Sequence, residues 1–206
     1  MKAANLNFDF SQGSMNQANN QVISSGYAAL DVMLPHGGWP VGGISEIFCP
    51  EDSQFALPLL WPTLARLSQA KRWLAMIAPP NAPSSSELAS VGIDLSHVLM
   101  IHPHATSNGL WAVEHALRSG TCAAVLSWVN HADHHAMQDL RGAALAGNSC
   151  GLIFRPEWAI EQPSAASLKL RLSSTDRGFC VEHIPQNSKQ PHSVIFIDNQ
   201  NIQKTA

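Results

Sequence analysis

The chain has 206 residues, of which 45% are hydrophobic and 13% are charged, and its formal net charge is −3. The length predicts one domain. Charged residues usually make up about a quarter of a chain, so a fraction about half as large predicts a large core and a surface partly covered by a partner. The twelve Lys and Arg residues form no basic run, which argues against direct DNA binding. The sequence has no stretch of about 18 apolar residues and no signal-like N-terminus. We therefore expect a cytoplasmic protein without a membrane segment.

Residues 1–21 are polar and rich in Asn, Gln and Ser. They show no sustained periodicity, so we predict a flexible N-terminal tail. Within this tail, residues 6–10 read Leu-Asn-Phe-Asp-Phe, an alternation that suits a strand added to a partner. The run is too short for that interpretation to displace the flexible tail.

From Val22 onward, apolar runs alternate with helical patterns. Strands that are apolar throughout and alternate with helices predict an α/β fold, with a mainly parallel sheet covered by helices on both faces. Pro58 and Pro62 predict a kinked or shortened first helix, because an interior proline costs about 3 kcal/mol. Asn108 and Asp133 are predicted N-caps of the third and fourth helices. The predicted strands are 44–49, 73–78, 98–102, 122–128 and 151–155, and the predicted helices are 53–69, 84–91, 108–119 and 133–147.

The C-terminal part, residues 165–206, has a different pattern. Residues 168–172 alternate strictly, Arg177-Gly178 suggests a turn into residues 179–184, and residues 193–198 form a late apolar run. We predict two or three antiparallel strands here. They would extend the core, residues 22–164, within the same domain.

The segment after the first core strand has the outline of a phosphate-binding loop without its chemistry. A working loop reads G-x-x-x-x-G-K-[ST], in which backbone amides and the lysine hold the phosphates and the hydroxyl holds Mg²⁺. Here Cys49 and Gln54 occupy the glycine places, Phe55 the lysine place and Ala56 the hydroxyl place. A phenyl ring and a methyl group cannot neutralise a triphosphate. The sequence therefore predicts a protein that is not an enzyme and has no nucleotide cofactor.

The residues around this loop resemble two known families. Residues 22–31 and 37–47 resemble the approach to the phosphate loop in the RecA recombinase core, with a G-G-W-P-x-G turn before the strand. Further along, Arg72-Trp73, Trp128 and the segment 147–156 resemble the SulA cell-division inhibitors.

One family combines both sets of features. The order of these segments, with a tail like residues 167–172 and a late strand like residues 194–197, is similar to the ImuA family of RecA/SulA-like accessory proteins. This resemblance covers about residues 22–198 and implies a degenerate RecA-like fold. The RecA-like catalytic glutamate would fall near Pro79-Pro80, and the acid beside Mg²⁺ near Ser127, so both are missing here.

The ImuA resemblance implies a function without chemistry. The chain would be an SOS-response adaptor in damage-induced translesion DNA synthesis. Its partners would be an ImuB-like Y-family polymerase homologue and a C-family polymerase. The alternative is a SulA-like inhibitor of cell division that binds the tubulin-like protein FtsZ, and self-association is open under either reading.

Four residues are candidates for partner binding because Trp and Arg are enriched at interface hot spots. Trp39 lies in a Gly/Pro-rich turn, where a large ring is hard to bury. Trp111, His115 and Arg118 recur at i, i+4 and i+7, opposite an apolar stripe of one predicted helix. The alternative is that Trp111 fills a small satellite core and Arg118 covers it.

Arg72 is a further candidate for partner binding. It stands at the entrance of the second predicted strand, where we expect an exposed Arg72 beside a buried Trp73. By resemblance, an arginine at the matching place in SulA-like proteins is implicated in FtsZ binding. Glu87 and His97 stand near places where those inhibitors carry Trp and Lys. By resemblance, only part of their FtsZ-binding surface is therefore present in this chain.

Metal binding and hydrolytic chemistry are weaker alternatives. His131, His134 and His135 are close in sequence, and His102 and His104 form a second group. No H-E-x-x-H or C-x-x-C pattern accompanies them, so we predict solvated loop histidines and no metal. The four cysteines are widely spaced and are expected to be reduced. No G-x-S-x-G elbow surrounds Ser127 or another serine, which disfavours a hydrolase.

Overall fold

The computed structural model describes residues 21–50, 53–103, 106–185 and 193–198. Apart from Gln21, the predicted tail lies outside the described residues. None of the described helices is long and apolar enough to cross a membrane. The elements in chain order are β1 (Val22–Ile23), α1 (Ala28–Met33), β2 (Trp39–Pro40), β3 (Gly43–Cys49), α2 (Trp61–Ser68), β4 (Trp73–Ile77), α3 (Ser85–Ser90), β5 (Val98–Ile101), α4 (Thr106–Arg118), β6 (Cys122–Trp128), α5 (His134–Gly147), β7 (Cys150–Pro156), β8 (Leu168–Thr175), β9 (Gly178–His183) and β10 (Ser193–Asp198).

The main sheet has eight strands in the order β10-β9-β8-β3-β7-β6-β4-β5, and β1 pairs with β2 in a separate ladder. The six strands from β8 to β5 are parallel neighbours. Strand β9 is antiparallel to both β8 and β10. The predicted α/β class with a mainly parallel sheet is therefore confirmed.

The predicted antiparallel C-terminal strands are confirmed, because β8 pairs with β9 and β9 with β10 in antiparallel directions. Strand β8 also pairs in parallel with β3, Leu168 to Arg171 lying beside Ser45 to Phe48, which the sequence did not predict. The alternation of β8 reflects one buried face: Leu168, Leu170 and Leu172 face the core, whereas Lys169 and Arg171 face the opposite side. A half-covered parallel strand at the end of the helical layers has the same period-two pattern as an antiparallel strand.

Two apolar layers enclose the sheet. On one face, α1, α2 and α3 cover a core that includes Leu30, Leu64 and Leu88. On the other face, α4 and α5 cover a core that includes Val113 and Met137. The helices therefore lie on both faces, as the sequence predicts.

The helix boundaries follow local chemistry, with two differences from the prediction. The Asp133 side chain accepts a hydrogen bond from the Ala136 N–H at 2.8 Å, which confirms the N-cap of α5. Helix α4 begins at Thr106, so Asn108 lies inside its first turn and is not the cap. The predicted helix 53–69 is a 3₁₀ segment, Ser53–Leu60, followed by α2. Pro58 lies inside the 3₁₀ segment, so the predicted shortening is confirmed.

Helices α4 and α5 touch at a glycine. A Cβ added to Gly147 would overlap the Leu117 carbonyl oxygen, and it would lie 3.0 Å from the Leu117 carbonyl carbon. Both atoms are backbone, so neither can swing away as a side chain could. By contrast, a Cβ added to Gly142 of the same helix meets nothing within 4 Å.

These two glycines give a matched test of the α4–α5 contact. Gly147→Ala should lower the free energy of unfolding by about 3 kcal/mol or more, because the helices must separate. Gly142→Ala should raise it by up to about 1 kcal/mol, because alanine is the better helix former. Urea unfolding followed by circular dichroism measures both. Equal stability of the two variants would contradict the close approach.

Candidate functional site

Trp39 is a core residue, which corrects its prediction as a partner-binding side chain. Its side chain is fully buried, and its indole N–H donates to the Thr63 hydroxyl oxygen at 3.1 Å. The Thr63 hydroxyl in turn lies 3.1 Å from the Ser25 carbonyl oxygen, to which it donates. Because α2 supplies a buried acceptor for the indole, the ring can be buried without losing a hydrogen bond.

The structure reverses the predicted exposure of Arg72 and Trp73. Arg72 is half-buried, and its guanidinium donates to main-chain carbonyl oxygens at 2.7 to 3.2 Å. These acceptors lie just after α4 (Gly120), at the start of β6 (Cys122) and at the end of α5 (Gly147 and Asn148). Helix ends leave carbonyl groups without intrahelical partners, and a cation there is favourable. Burial lowers the pKa of Arg72 below its usual value, but an arginine remains charged at neutral pH.

Trp73 belongs to an exposed apolar patch at the outer edge of the sheet. Its side chain is 41% exposed, and Leu95 and Leu99, which lie on either side of His97 in sequence, are 41% and 42% exposed. Leu99 lies in β5, the outermost strand at this end of the sheet, opposite Ala75 of β4. The Trp73 ring also contacts the His97 ring, with centroids 5.9 Å apart. We call Trp73, Leu95 and Leu99 the β5-edge patch.

A polar cluster borders this patch. The Asp94 carboxylate accepts hydrogen bonds from the Ser96 amide and hydroxyl, at 3.0 and 2.7 Å, and lies 3.0 Å from the His97 ring nitrogen Nδ1. The Ser96 hydrogen bonds, followed by those of His97, lower the pKa of Asp94. The β5-edge patch is therefore bordered by an ionised carboxylate at neutral pH.

The exposed face of α4 agrees with the sequence. Trp111 is 65% exposed, and its ring stacks on His115 with centroids 5.2 Å apart and an interplanar angle of 13°. Arg118 is exposed and donates to the Glu114 carboxylate at 2.7 Å. Val113 lies on the buried side of the helix. Trp111 therefore fills no satellite core, and partner binding through this face stays a prediction.

Among the described residues, the loop after β3 leads into a 3₁₀ segment and not directly into an α-helix. Strand β3 ends at the buried Cys49, and the chain then forms the 3₁₀ segment with the buried Ala56. The next α-helix begins only at Trp61, whereas phosphate sites use the amides that open a helix. The side chains of Gln54 and Phe55 lie outside the described residues. The part of the loop that the structure describes lacks this element of a phosphate cradle.

Beside the loop, two opposite charges are paired inside the protein, a feature that was not predicted from the sequence. Glu46 and Arg155 are fully buried, with an ion-pair distance of 2.7 Å. The Arg155 guanidinium also donates to the Ala132 carbonyl oxygen at 3.1 Å and to the Gln162 side-chain oxygen at 2.7 Å. The sequence did contain a signal for this pair: Glu46 lies inside the apolar run 44–49 and Arg155 inside 151–155. Buried charges are usually paired with each other.

A cleft of about 400 Å³ opens at this end of the sheet, with Cys49, Trp128, His131, Arg155 and Trp158 in its lining. Its size suits a small molecule. Arg155, which could attract an anion, is already held by Glu46. The described lining therefore offers no counter-charge that matches a triphosphate.

The described histidines lie beside different partners. His134 lies 3.0 Å from the Gln138 side-chain nitrogen and His135 lies 3.0 Å from the Asp139 carboxylate, while His131 contacts the Trp158 ring. Among the described residues, no group of three or more His, Cys, Asp and Glu could hold a metal ion. His104 lies outside them. The thiol of Cys150 is buried, which raises its pKa to about 12 and keeps it protonated.

The contacts of Arg72 predict a structural role that a stability measurement can test. Arg72→Ala should lower the free energy of unfolding by about 2–4 kcal/mol, because several carbonyl groups lose a charged donor. Trp73→Ala, next to it in sequence but 41% exposed, is the matched control and should cost less than about 1 kcal/mol. Thermal and urea unfolding measure the difference. A larger loss in Trp73→Ala than in Arg72→Ala would contradict this role.

Comparison with known proteins identifies the family. A sequence model described as cell division inhibitor SulA matches residues 42–151. Cell division inhibitor SulA of Pectobacterium atrosepticum is 33% identical over 65% of this chain and 80% of the relative. The SulA of Yersinia enterocolitica is 33% identical over 64% of this chain and 80% of its own length. A crystal structure of SulA from Pseudomonas aeruginosa aligns with 29% identity and a TM-score of 0.47, covering 54% of this chain and 97% of that one.

These matches overturn the ImuA assignment. The relatives are named as inhibitors of cell division, so the predicted adaptor role in translesion synthesis is wrong, and its polymerase partners are unsupported. Of the segments that suggested ImuA, residues 22–31, 167–172 and 194–197 lie outside the matched region, and residues 37–47 overlap its start. The chain belongs to the SulA family of cell division inhibitors.

Proposed function

We propose that this protein inhibits cell division by binding the tubulin-like division protein FtsZ through the β5-edge patch. Membership of the SulA family supports the inhibitory role. The observation that carries the choice of surface is the group of exposed apolar side chains at the outer edge of the sheet. On this proposal the protein works in the cytoplasm, as a binding protein without catalytic chemistry.

The β5-edge patch has the composition of an interface centre. It combines one Trp with two Leu side chains that are each about two-fifths exposed, and aromatic anchors beside aliphatic contacts are typical of hot spots. The ionised Asp94 and the neighbouring His97 form a polar rim. Such a rim excludes water from the apolar centre once a partner docks.

Arg72 contributes to this surface indirectly. It precedes Trp73, and its guanidinium ties the first residues of β4 to the ends of α4 and α5. The Trp73 N–H donates to the Thr121 carbonyl oxygen at 3.0 Å. With both residues fixed, the Trp73 ring is presented at a defined place. We infer that Arg72 supports FtsZ binding by orienting its neighbour Trp73.

The test compares two exposed tryptophans. Overproduction of the protein should block septation and produce filamentous cells. Trp73→Ala combined with Leu99→Ala should restore normal cell length, because loss of a hot-spot pair costs about 2–4 kcal/mol of binding, a drop in affinity of about 30-fold or more. Trp111→Ala, on the exposed face of α4, is the control and should leave filamentation unchanged. Binding to purified FtsZ, measured by sedimentation of FtsZ polymers, should rank the variants in the same way in vitro.

The opposite pattern would reassign the surface. Filamentation that survives Trp73→Ala/Leu99→Ala and disappears in Trp111→Ala would move the binding site to α4. Normal cell length on overproduction of the folded wild-type protein would contradict the inhibitor function itself.

We also propose that the core is a RecA-like domain that no longer uses nucleotide. The loop positions Phe55 and Ala56 lack the lysine and hydroxyl that ATP and Mg²⁺ require, and the nearby Arg155 is held by Glu46. Inhibition would then depend on binding alone.

Nucleotide independence is directly measurable. Titration with a fluorescent ATP analogue and Mg²⁺ should show no saturable binding in the micromolar range, and binding to FtsZ should be the same with and without ATP. The control is a RecA-like ATPase under the same conditions. Saturable binding that is abolished by Gln54→Trp would contradict the proposal.

A further inference from the structure

The cleft beside the loop lies at the carboxyl ends of three neighbouring parallel strands. Its lining includes Cys49, Trp128 and Pro156, which are the last residues of β3, β6 and β7. These strands are adjacent in the sheet, in the order β3-β7-β6. In open parallel sheets, small molecules bind in the crevice outside the carboxyl ends of the strands. The cleft therefore occupies the place where this class of fold binds its ligands.

Two pairs of aromatic rings line the cleft. The Trp128 ring stacks on Phe154, with centroids 4.8 Å apart and an interplanar angle of 11°. The rings of His131 and Trp158 lie 5.3 Å apart at an angle of 43°. Each pair joins the β6 side of the cleft to the β7 side, since Trp128 lies opposite Phe154 in the sheet and the other two rings follow these strands. Such walls favour a flat ring, which can stack on them or meet them edge to face.

Two buried N–H groups of the lining have no hydrogen-bond partner within the protein. They are the indole N–H of Trp128 and the Nε–H of Arg155, and Arg155 is only 1% exposed. The other two guanidinium nitrogens of Arg155 bind Glu46, Ala132 and Gln162. A buried donor without an acceptor is costly, and a ligand that supplies an acceptor removes this cost. The cleft therefore favours a molecule with hydrogen-bond acceptors.

The charges of the lining favour an uncharged ligand. The described lining contains no Asp, Glu or Lys, and the charge of Arg155 is already paired with Glu46. An additional charge placed here would be desolvated without a counter-charge. We propose that the cleft binds a small, uncharged, planar aromatic molecule with a ring carbonyl, whose oxygen accepts a hydrogen bond from the Trp128 indole N–H. The volume of about 400 Å³ suits such a molecule.

Nuclear magnetic resonance of the full-length protein tests this site. Titration with coumarin, a flat two-ring lactone, should move the indole N–H signal of Trp128 to saturation, with a Kd of about 1 mM or lower. Indole is the matched probe, because it is also flat and two-ringed but has no carbonyl oxygen. It should bind at least about tenfold more weakly, since it leaves the Trp128 N–H unpaired. The indole N–H signal of Trp111, on α4, should move with neither probe.

A single substitution isolates the hydrogen bond from the stacking. Trp128→Phe keeps an aromatic ring against Phe154 and removes only the donor. Coumarin binding, followed at the backbone amide of Asn130 in the lining, should weaken about tenfold, whereas indole binding should change less than about twofold. Trp111→Phe is the control outside the cleft and should leave both affinities unchanged. Thermal unfolding checks that both variants fold, and the comparison of the two probes on the wild type needs no variant.

Three results would overturn the proposal. Equal affinity for coumarin and indole would mean that the cleft offers apolar contact without a hydrogen bond. Undiminished coumarin binding by folded Trp128→Phe would mean that its indole is not the donor. Signal shifts that do not saturate, or that include Trp111 equally, would mean binding at high probe concentration only. None of these measurements involves FtsZ, so their outcome is independent of the proposed inhibition of cell division.

Discussion

The structure depends on the contacts of one cation, the guanidinium of Arg72. Its hydrogen bonds join the end of α4, the start of β6 and the end of α5. These three places are 48 to 76 residues away from Arg72 in sequence. Two of these places lie at or just after a helix end, where carbonyl groups have no intrahelical partner, and the third is the first residue of β6. Because Arg72 also opens β4, the same contacts fix the strand that presents the β5-edge patch. If the β5-edge patch binds FtsZ as proposed, stability and recognition are coupled through the Arg72 side chain.

The buried pair of Glu46 and Arg155 imposes a second constraint, at the opposite end of the strands. A buried ion pair repays its desolvation only with good geometry and further hydrogen bonds. Ala132 and Gln162 supply such bonds to Arg155, while Lys169 lies 4.0 Å from the second Glu46 oxygen. In this network the positive charge of Arg155 is neutralised inside the protein by Glu46, next to a loop whose sequence lacks the lysine and hydroxyl of a phosphate site. The β5 edge of the sheet therefore exposes apolar side chains, whereas the inner strands β3 and β7 bury an ion pair.

Local patterns in the sequence predicted much of the fold and little of the candidate site. Apolar runs and helical periodicity gave the alternation of strands and helices, and Asp133 marked the start of α5, because these signals act over a few residues. Trp39, Arg72 and Trp73 were misplaced because their environments depend on distant residues. The acceptor for Trp39 is 24 residues away, and the burial of Arg72 depends on two helix ends that no local pattern reveals. The parallel pairing of β8 with β3 was not predicted for the same reason, since a period of two does not say which strand lies alongside.

The place of β3 in the sheet has a consequence for how the protein is made. Strand β3 is the first strand of the main sheet to be synthesised, yet its neighbours are β7 and β8, which begin at Cys150 and Leu168. The centre of the sheet cannot close until more than half of the chain has followed β3 out of the ribosome. At about 5–20 residues per second, that delay lasts several seconds or more. Pairings this far apart in sequence also fold slowly, because the loop must close before its contacts form. A newly made molecule therefore passes through a period in which its apolar central strand is exposed, and cellular chaperones and proteases can act on it before it becomes active.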